Sequence, residues 1–171
     1  MVFEEIVKEP LPATDRLVLP YDVRQKSRAL VRLESGVEAG IFLPPGTVLR
    51  GGDRLRGEDG TVVEVVAAPE EVLEVRASDP TDLLRAAYHL GNRHVVLEVA
   101  PGVLRLARDP VLAAMLAQLG GLEPSEAIGP FEPEAGAYGG HAHSHSRDRR
   151  AIHGPGAHPS GSSRIHDFAA G

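Results

Sequence analysis

Residues 72–121 read VLEVRASDPTDLLRAAYHLGNRHVVLEVAPGVLRLARDPVLAAMLAQLGG, and this stretch decides the fold. Val72-Leu73-Glu74-Val75 is a strand. Asp79-Pro80 then opens a helix, with an aspartate to cap it and proline at the first helical position, where the missing N–H costs nothing. Leu83, Leu84, Ala87 and Tyr88 recur at helical spacing and are expected on its buried face. Gly91-Asn92 should end the helix, since both tolerate a left-handed backbone. Val95 to Val99 reads as a strand, Pro101-Gly102 as a turn and Val103 to Ala107 as a second strand. Asp109-Pro110 repeats the capping signal before a stripe of Val111, Leu112, Met115, Leu116 and Leu119, and Gly120-Gly121 stops that helix. A short strand over Leu122 to Ile128 completes β-α-β-β-α-β, the split order of a ferredoxin-like sandwich. Pro124 restricts this last strand to an edge.

Working outward toward the N-terminus, the period falls to two. Arg28 to Glu34 alternates apolar and polar residues, Ser35-Gly36 turns the chain, and Val37 to Leu43 runs back as a hairpin partner. Arg54-Leu55-Arg56 and Thr61 to Val66 form another pair around Glu58-Asp59-Gly60, where Asp-Gly suits a tight turn. The first 70 residues therefore read as a small antiparallel β domain. Toward the C-terminus the aliphatic residues run out: the last valine is Val111 and the last leucine Leu122. From Gly129 onward the chain is mostly Gly, Pro, Ser, His and Arg, a composition that cannot bury enough apolar surface to offset the entropy of ordering it. The expected organisation is an α+β protein with a β domain at 1–70, a ferredoxin-like domain at 71–138 and a disordered histidine-rich tail at 139–171.

Composition narrows the function classes. The 171 residues are 42% hydrophobic and 25% charged, with a formal net charge of -6, so nucleic acid and membrane surfaces are not expected partners. Cysteine is absent, which excludes disulfides, thiolate nucleophiles and sulfur-ligated metal sites. The N-terminal residues carry Glu4, Glu5 and Glu9 in place of a basic leader, and the apolar run Val111 to Ala117 is far below the roughly 20 residues that span a bilayer. A cytoplasmic location is the expectation. No Gly-x-Ser-x-Gly elbow is present, and Gly51-Gly52 lacks the Lys-Ser/Thr of a phosphate loop.

The chemistry lies in the imidazoles. The tail holds six of the eight histidines. His141, His143 and His145 alternate, so in an extended chain they project to one side and can close on one cation; His153, His158 and His166 add capacity. Imidazole favours Ni²⁺, Cu²⁺ and Zn²⁺ over Mg²⁺ or Ca²⁺. The remaining pair lies in Tyr88-His89-Leu90-Gly91-Asn92-Arg93-His94. His89 falls in the last helical turn and reads as packing or as a charge at the helix C-terminus. His94 stands between a helix terminator and a strand, a position that serves a hydrogen-bonded structural residue or a ligand. One imidazole is too few for a tight site, and a two-fold dimer juxtaposing two copies would double it.

Tyr88 to His94, the following strand, Pro101-Gly102-Val103-Leu104-Arg105, Asp109, the apolar helix through Met115-Leu116 and the histidine-rich C-terminus together resemble the UreE family, nickel metallochaperones of urease maturation. The specific part of the resemblance is residues 88–116. It implies an N-terminal domain similar to the peptide-binding domains of DnaJ-type chaperones, able to engage peptides or partners. It also implies a homodimer with His94 of each protomer at an interface metal, further ligands from the tail, and a route to a dimer of dimers. Nickel would pass to apo-urease within an assembly containing a GTPase and other accessory proteins. One departure stands out. Many relatives flank the aspartate corresponding to Asp109 with histidines, whereas here Arg108 and Pro110 flank it. Guanidinium repels a cation and proline offers no ligand, so Asp109 reads as a helix cap.

The leading expectation is a nickel-binding chaperone without turnover of its own, with Zn²⁺ or Cu²⁺ able to substitute in vitro. A metalloenzyme would need about three fixed ligands and an open position, and the expected folded part offers only His89 and His94. A histidine-rich store or detoxifying chelator is the runner-up. A store binds many ions per chain, while a chaperone binds one or two per dimer that a partner can remove. A peptide-binding module with incidental histidines would hold its clients whether or not chelators were present.

Overall fold

Alternating apolar residues lay down the first of two sheets in the computed structural model, which describes residues 1–135. The strands are β1 (Val2–Val7), β2 (Asp15–Leu19), β3 (Arg28–Arg32), β4 (Glu38–Phe42), β5 (Arg54–Gly57) and β6 (Val62–Ala67), with the single-turn helix α1 (Tyr21–Arg24) after β2. Their order in the sheet is β2-β6-β5-β1-β4-β3. The two hairpins form where the alternation places them, β3 with β4 and β5 with β6. In the second, Gly60 takes a φ of 83° that a side chain would resist. Leu17, Ile41, Leu49, Leu55, Val63 and Val65 fill the core together with Phe3.

The expected antiparallel domain is in fact mixed. β1 pairs in parallel with β4, and β2 in parallel with β6. The reason lies in two strands that the sequence did not announce. In β1 a register shift between Phe3 and Glu5 interrupts the period of two, so Glu4 and Glu5 are exposed in succession between the buried Phe3 and Val7. This strand enters between the two hairpins and joins them into one sheet.

The second sheet is built from β7 (Pro69–Ala77), β8 (Glu98–Ala100), β9 (Val103–Ala107) and β10 (Leu122–Pro130), with α2 (Pro80–Gly91) and α3 (Pro110–Leu119) between them. The order is β10-β7-β9-β8 and every pairing is antiparallel. Leu73, Val75, Leu104 and Leu106 of the sheet pack with Ala86 and Leu90 of α2 and Leu116 of α3. The element order is the one expected, with four local corrections. Helical spacing fits both Leu83-Ala86-Ala87-Leu90 and Leu84-Ala87-Tyr88, and the sheet takes the first set: Leu84 and Tyr88 are 71% and 67% exposed. Val111 likewise faces outward on α3. The strand expected from Val95 begins only at Glu98, because the chain is still turning after α2. β10 runs two residues beyond Ile128 and pairs with β7 along its whole length, with Pro124 on the sheet edge as anticipated.

Past β10 the chain crosses to the first sheet. Phe131 is buried and meets Tyr21 edge to face at 5.5 Å. Arg24, fully buried, donates from Nε to the Leu19 carbonyl at 3.1 Å and from its terminal nitrogens to the carbonyls of Leu49 and Phe131 and to the Glu132 carboxylate. The tail at 139–171, expected to be disordered, lies outside the described residues.

Candidate metal centre

α2 and the turn that follows it carry the only two histidines of the described residues, His89 and His94. Asp79 caps it by accepting from the Thr81 N–H at 2.8 Å, and this bond holds its carboxyl below the usual carboxylate range. At the other end the terminal carbonyls are used up locally. Asn92 N–H donates to Tyr88 at 3.0 Å, Arg93 N–H to Leu90 at 3.0 Å and His94 N–H to Gly91 at 2.9 Å. The Arg93 guanidinium adds a bond to the His89 carbonyl at 3.1 Å. Asn92 stays right-handed at φ -63°, so the expected left-handed residue is neither Gly91 nor Asn92. It is His94, whose φ of 56° is the one positive value at a non-glycine position among the described residues. That conformation lets Val95 N–H reach back to Leu90 at 3.2 Å before the chain straightens into β8.

The consequence is an imidazole presented on a strained corner. His94 is exposed, and its side chain takes part in none of the hydrogen bonds or ion pairs found among the described residues. Strain of this kind persists where the surroundings hold it, and commonly where function uses it. His89 differs: it is half-buried, with its ring edge to face against Tyr88 at 5.5 Å.

The strand beyond His94 is pinned from two sides. Arg105 of β9 bridges Glu98 at 2.7 Å and Glu74 at 2.8 Å, and its guanidinium holds the Glu74 carboxyl below the ordinary range. The second Glu98 oxygen accepts from the Glu132 N–H at 2.8 Å, while Glu134 N–H donates to the Leu97 carbonyl at 2.7 Å. Sequence reasoning missed this segment, since Phe131-Glu132-Pro133-Glu134 follows the last valine and leucine of the chain. A buried-type aromatic amid glycine and proline was the one available signal.

Asp109 is a cap: its Oδ1 accepts from Val111 N–H at 2.8 Å and Leu112 N–H at 3.0 Å. Arg108 beside it is paired with Glu126 at 2.9 Å. No three His, Cys, Asp or Glu side chains among the described residues converge as a metal cage. His141, His143, His145, His153, His158 and His166 lie outside the described residues. Leu84 and Tyr88, one turn apart on α2, and Val96 and Val99 near β8 leave apolar surface open on the elements that flank His94. No helix of the described residues is long and apolar enough to cross a membrane.

Two family models match the chain. One, described as UreE urease accessory protein, N-terminal domain, covers residues 3–68, and its C-terminal counterpart covers residues 70–163. Among curated proteins, "Urease accessory protein UreE" of Dechloromonas aromatica is 49% identical over 162 residues, 91% of this chain and 92% of its own. The protein of the same name from Cupriavidus pinatubonensis is 60% identical over 131 residues, 76% of this chain. That of Enterobacter sp. strain 638 is 56% identical over 134 residues, 78% of this chain and 88% of its own. The chain spans 59% of the Cupriavidus relative's length, and 62% of that of a Burkholderia lata relative. With both domain models matched in order over most of its length, the chain belongs to the UreE family of urease accessory proteins.

Proposed function

We propose that this protein is a nickel metallochaperone that binds Ni²⁺ through histidines and gives it up to apo-urease, with Zn²⁺ or Cu²⁺ able to occupy the site in vitro. The observation that carries the reading is His94: an exposed imidazole with no hydrogen-bond partner among the described residues, on a left-handed corner. One imidazole holds nickel weakly, so the remaining ligands come from outside residues 1–135. A two-fold homodimer supplies the second His94, and the open apolar surface of Leu84, Tyr88, Val96 and Val99 gives such a dimer something to bury. The tail histidines at 141, 143, 145, 153, 158 and 166 supply the rest. The β-α-β-β-α-β order with sheet order β10-β7-β9-β8 supports a ferredoxin-like domain as the platform for this site. The N-terminal sheet is then free to engage peptides or the accessory proteins of urease assembly, a GTPase among them, in the cytoplasm. An exposed site built of neutral imidazoles suits a cargo that must be released, and chelation with no turnover needs no general base.

Calorimetric titration of Ni²⁺ into the full chain, into His94→Ala and into a chain ending after Gly139 tests this. The expected result is one or two tight ions per dimer, lost in His94→Ala and weakened but retained on truncation. Many ions per chain, all lost with the tail, would establish the storage protein instead.

A further inference from the structure

β3 is an edge of the first sheet, and its pairing decides which of its backbone groups are engaged. At its two ends the Ser27 carbonyl accepts from Leu43 N–H at 2.7 Å, and Leu33 N–H donates to the Val37 carbonyl at 2.8 Å. Hydrogen-bonded pairs alternate along an antiparallel ladder, so residues 27, 29, 31 and 33 turn their backbone groups toward β4. Arg28, Leu30 and Arg32 therefore aim theirs away from it, and no backbone partner on that side is found among the described residues. Glu34, next in the series, donates outward to the Arg16 carbonyl at 2.9 Å and so marks where the open run ends. The other sheet edges offer less. β8 has three residues, β10 carries Pro124 and Pro130, which cannot donate, and β2 has given its Arg16 carbonyl to Glu34.

The side chains of the same three residues stand on the solvent face. Leu30 is 79% exposed, and its partner across the ladder is Gly40, which has no side chain to cover it. The Phe42 ring leans over Gly40 so closely that a Cβ there would lie 3.1 Å from it. Arg28, Ala29, Leu30, Gly40 and Phe42 line a groove of about 300 Å³. The Arg28 guanidinium lies 5.7 Å from the centre of the Phe42 ring and enters none of the ion pairs found among the described residues. Arg32 meets Glu38 at 2.8 Å, with both side chains largely in water.

Charge selects the occupant. A second copy paired about Leu30 would set Arg28 against Arg32, and like charges directly opposite destabilise a ladder. Residues 136–171 of this chain hold four arginines against two aspartates, with no lysine or glutamate, a net charge that the edge repels. We propose that the outer edge of β3 takes up an extended segment of a partner protein in which an apolar side chain has a carboxylate two residues to either side. The backbone of that segment meets the outward groups of Arg28, Leu30 and Arg32. Its apolar side chain enters the groove beside Leu30, and its carboxylates stand opposite the two guanidiniums. This rests on the reading that the N-terminal sheet engages peptides or accessory proteins.

The test uses the full chain and the labelled peptide Thr-Glu-Thr-Leu-Thr-Glu-Thr, whose palindromic order fits a parallel or an antiparallel strand. A counterpart carries lysine in place of both glutamates. Fluorescence anisotropy reads affinity, amide hydrogen exchange by NMR reads the backbone, and circular dichroism checks the fold of each variant. The glutamate peptide should bind about tenfold more tightly than the lysine peptide and slow exchange at the Arg28, Leu30 and Arg32 amides. Arg28→Glu should bring the two peptides to within about twofold of each other, since one attractive and one repulsive pair then face each peptide. Leu30→Ser, at an exposed position, should weaken both by about threefold or more. An unchanged preference in folded Arg28→Glu, or protection only at other amides of the first sheet, would overturn the edge while leaving the sheet a peptide-engaging surface. Absence of binding by either peptide at millimolar concentration would also overturn it, and the nickel titration of the full chain, which does not involve β3, is decided separately.

Discussion

Replacing His94 by glycine should make the protein more stable and leave it unable to hold nickel tightly. An L-residue in the left-handed region costs roughly 1–2 kcal/mol, and His94 sits there at φ 56°. Glycine removes that strain but gives the unfolded chain more freedom, a loss of about 0.4–1 kcal/mol. The imidazole makes no hydrogen bond among the described residues and is exposed, so no packing term enters. The net expectation is a gain of about 0.5–1 kcal/mol. At a urea slope of about 2 kcal/mol/M this raises the midpoint by about 0.3–0.5 M. His94→Ala keeps the strain and should stay within about 0.5 kcal/mol of the parent. The two variants thus part company in urea and agree in the calorimeter, where both lose the tight Ni²⁺ event. If His94→Gly instead lowers the midpoint by about 0.5 M or more, the imidazole is holding the loop and its role as a free ligand fails.

Asp109→Ala should cost about 1 kcal/mol through the two lost cap bonds and leave nickel affinity unchanged, with Asp109→Asn largely retaining stability; weaker nickel binding in a folded Asp109→Ala would return the residue to the metal. Glu74 should make folding acid-sensitive. Its folded pKa is depressed by Arg105, so its contribution is present above the ordinary carboxylate pKa and lost as pH falls below it. Between pH 5 and pH 3, roughly the range in which carboxylates protonate, the parent should therefore lose more stability in urea titrations than Glu74→Gln does. Nickel should leave a site built of several imidazoles steeply between roughly pH 7 and pH 5, where protons compete for ring nitrogen, while the far-UV circular dichroism of the protein is unchanged. Retention at pH 5 would point to carboxylate ligands, and loss of fold together with metal would make the ion structural.

Local rules were written plainly in the sequence. Asp79-Pro80 and Asp109-Pro110 set both helix starts, because a capping carboxylate and a proline act within one turn and need no distant partner. The hairpins at Ser35-Gly36 and Asp59-Gly60 and the strand Val103–Ala107 followed from alternation and turn chemistry in the same way. The Gly-Asn-Arg-His stretch and the alternating histidines marked the chemistry. What only the tertiary structure decided were the choices between locally equivalent options. Spacing allowed either face of α2 to be buried, and the second sheet selected Ala86 and Leu90 over Leu84 and Tyr88. Gly91 or Asn92 was expected at the left-handed corner, and closure of Val95 onto Leu90 gave it to His94. The parallel pairings of β1 and β2, and the grip of Arg24 on residues 107 and 108 positions further along, join segments far apart in the chain. Nothing local specifies such contacts, because a buried guanidinium needs its carbonyls and carboxylate in space, and the sequence around it carries no trace of where they come from.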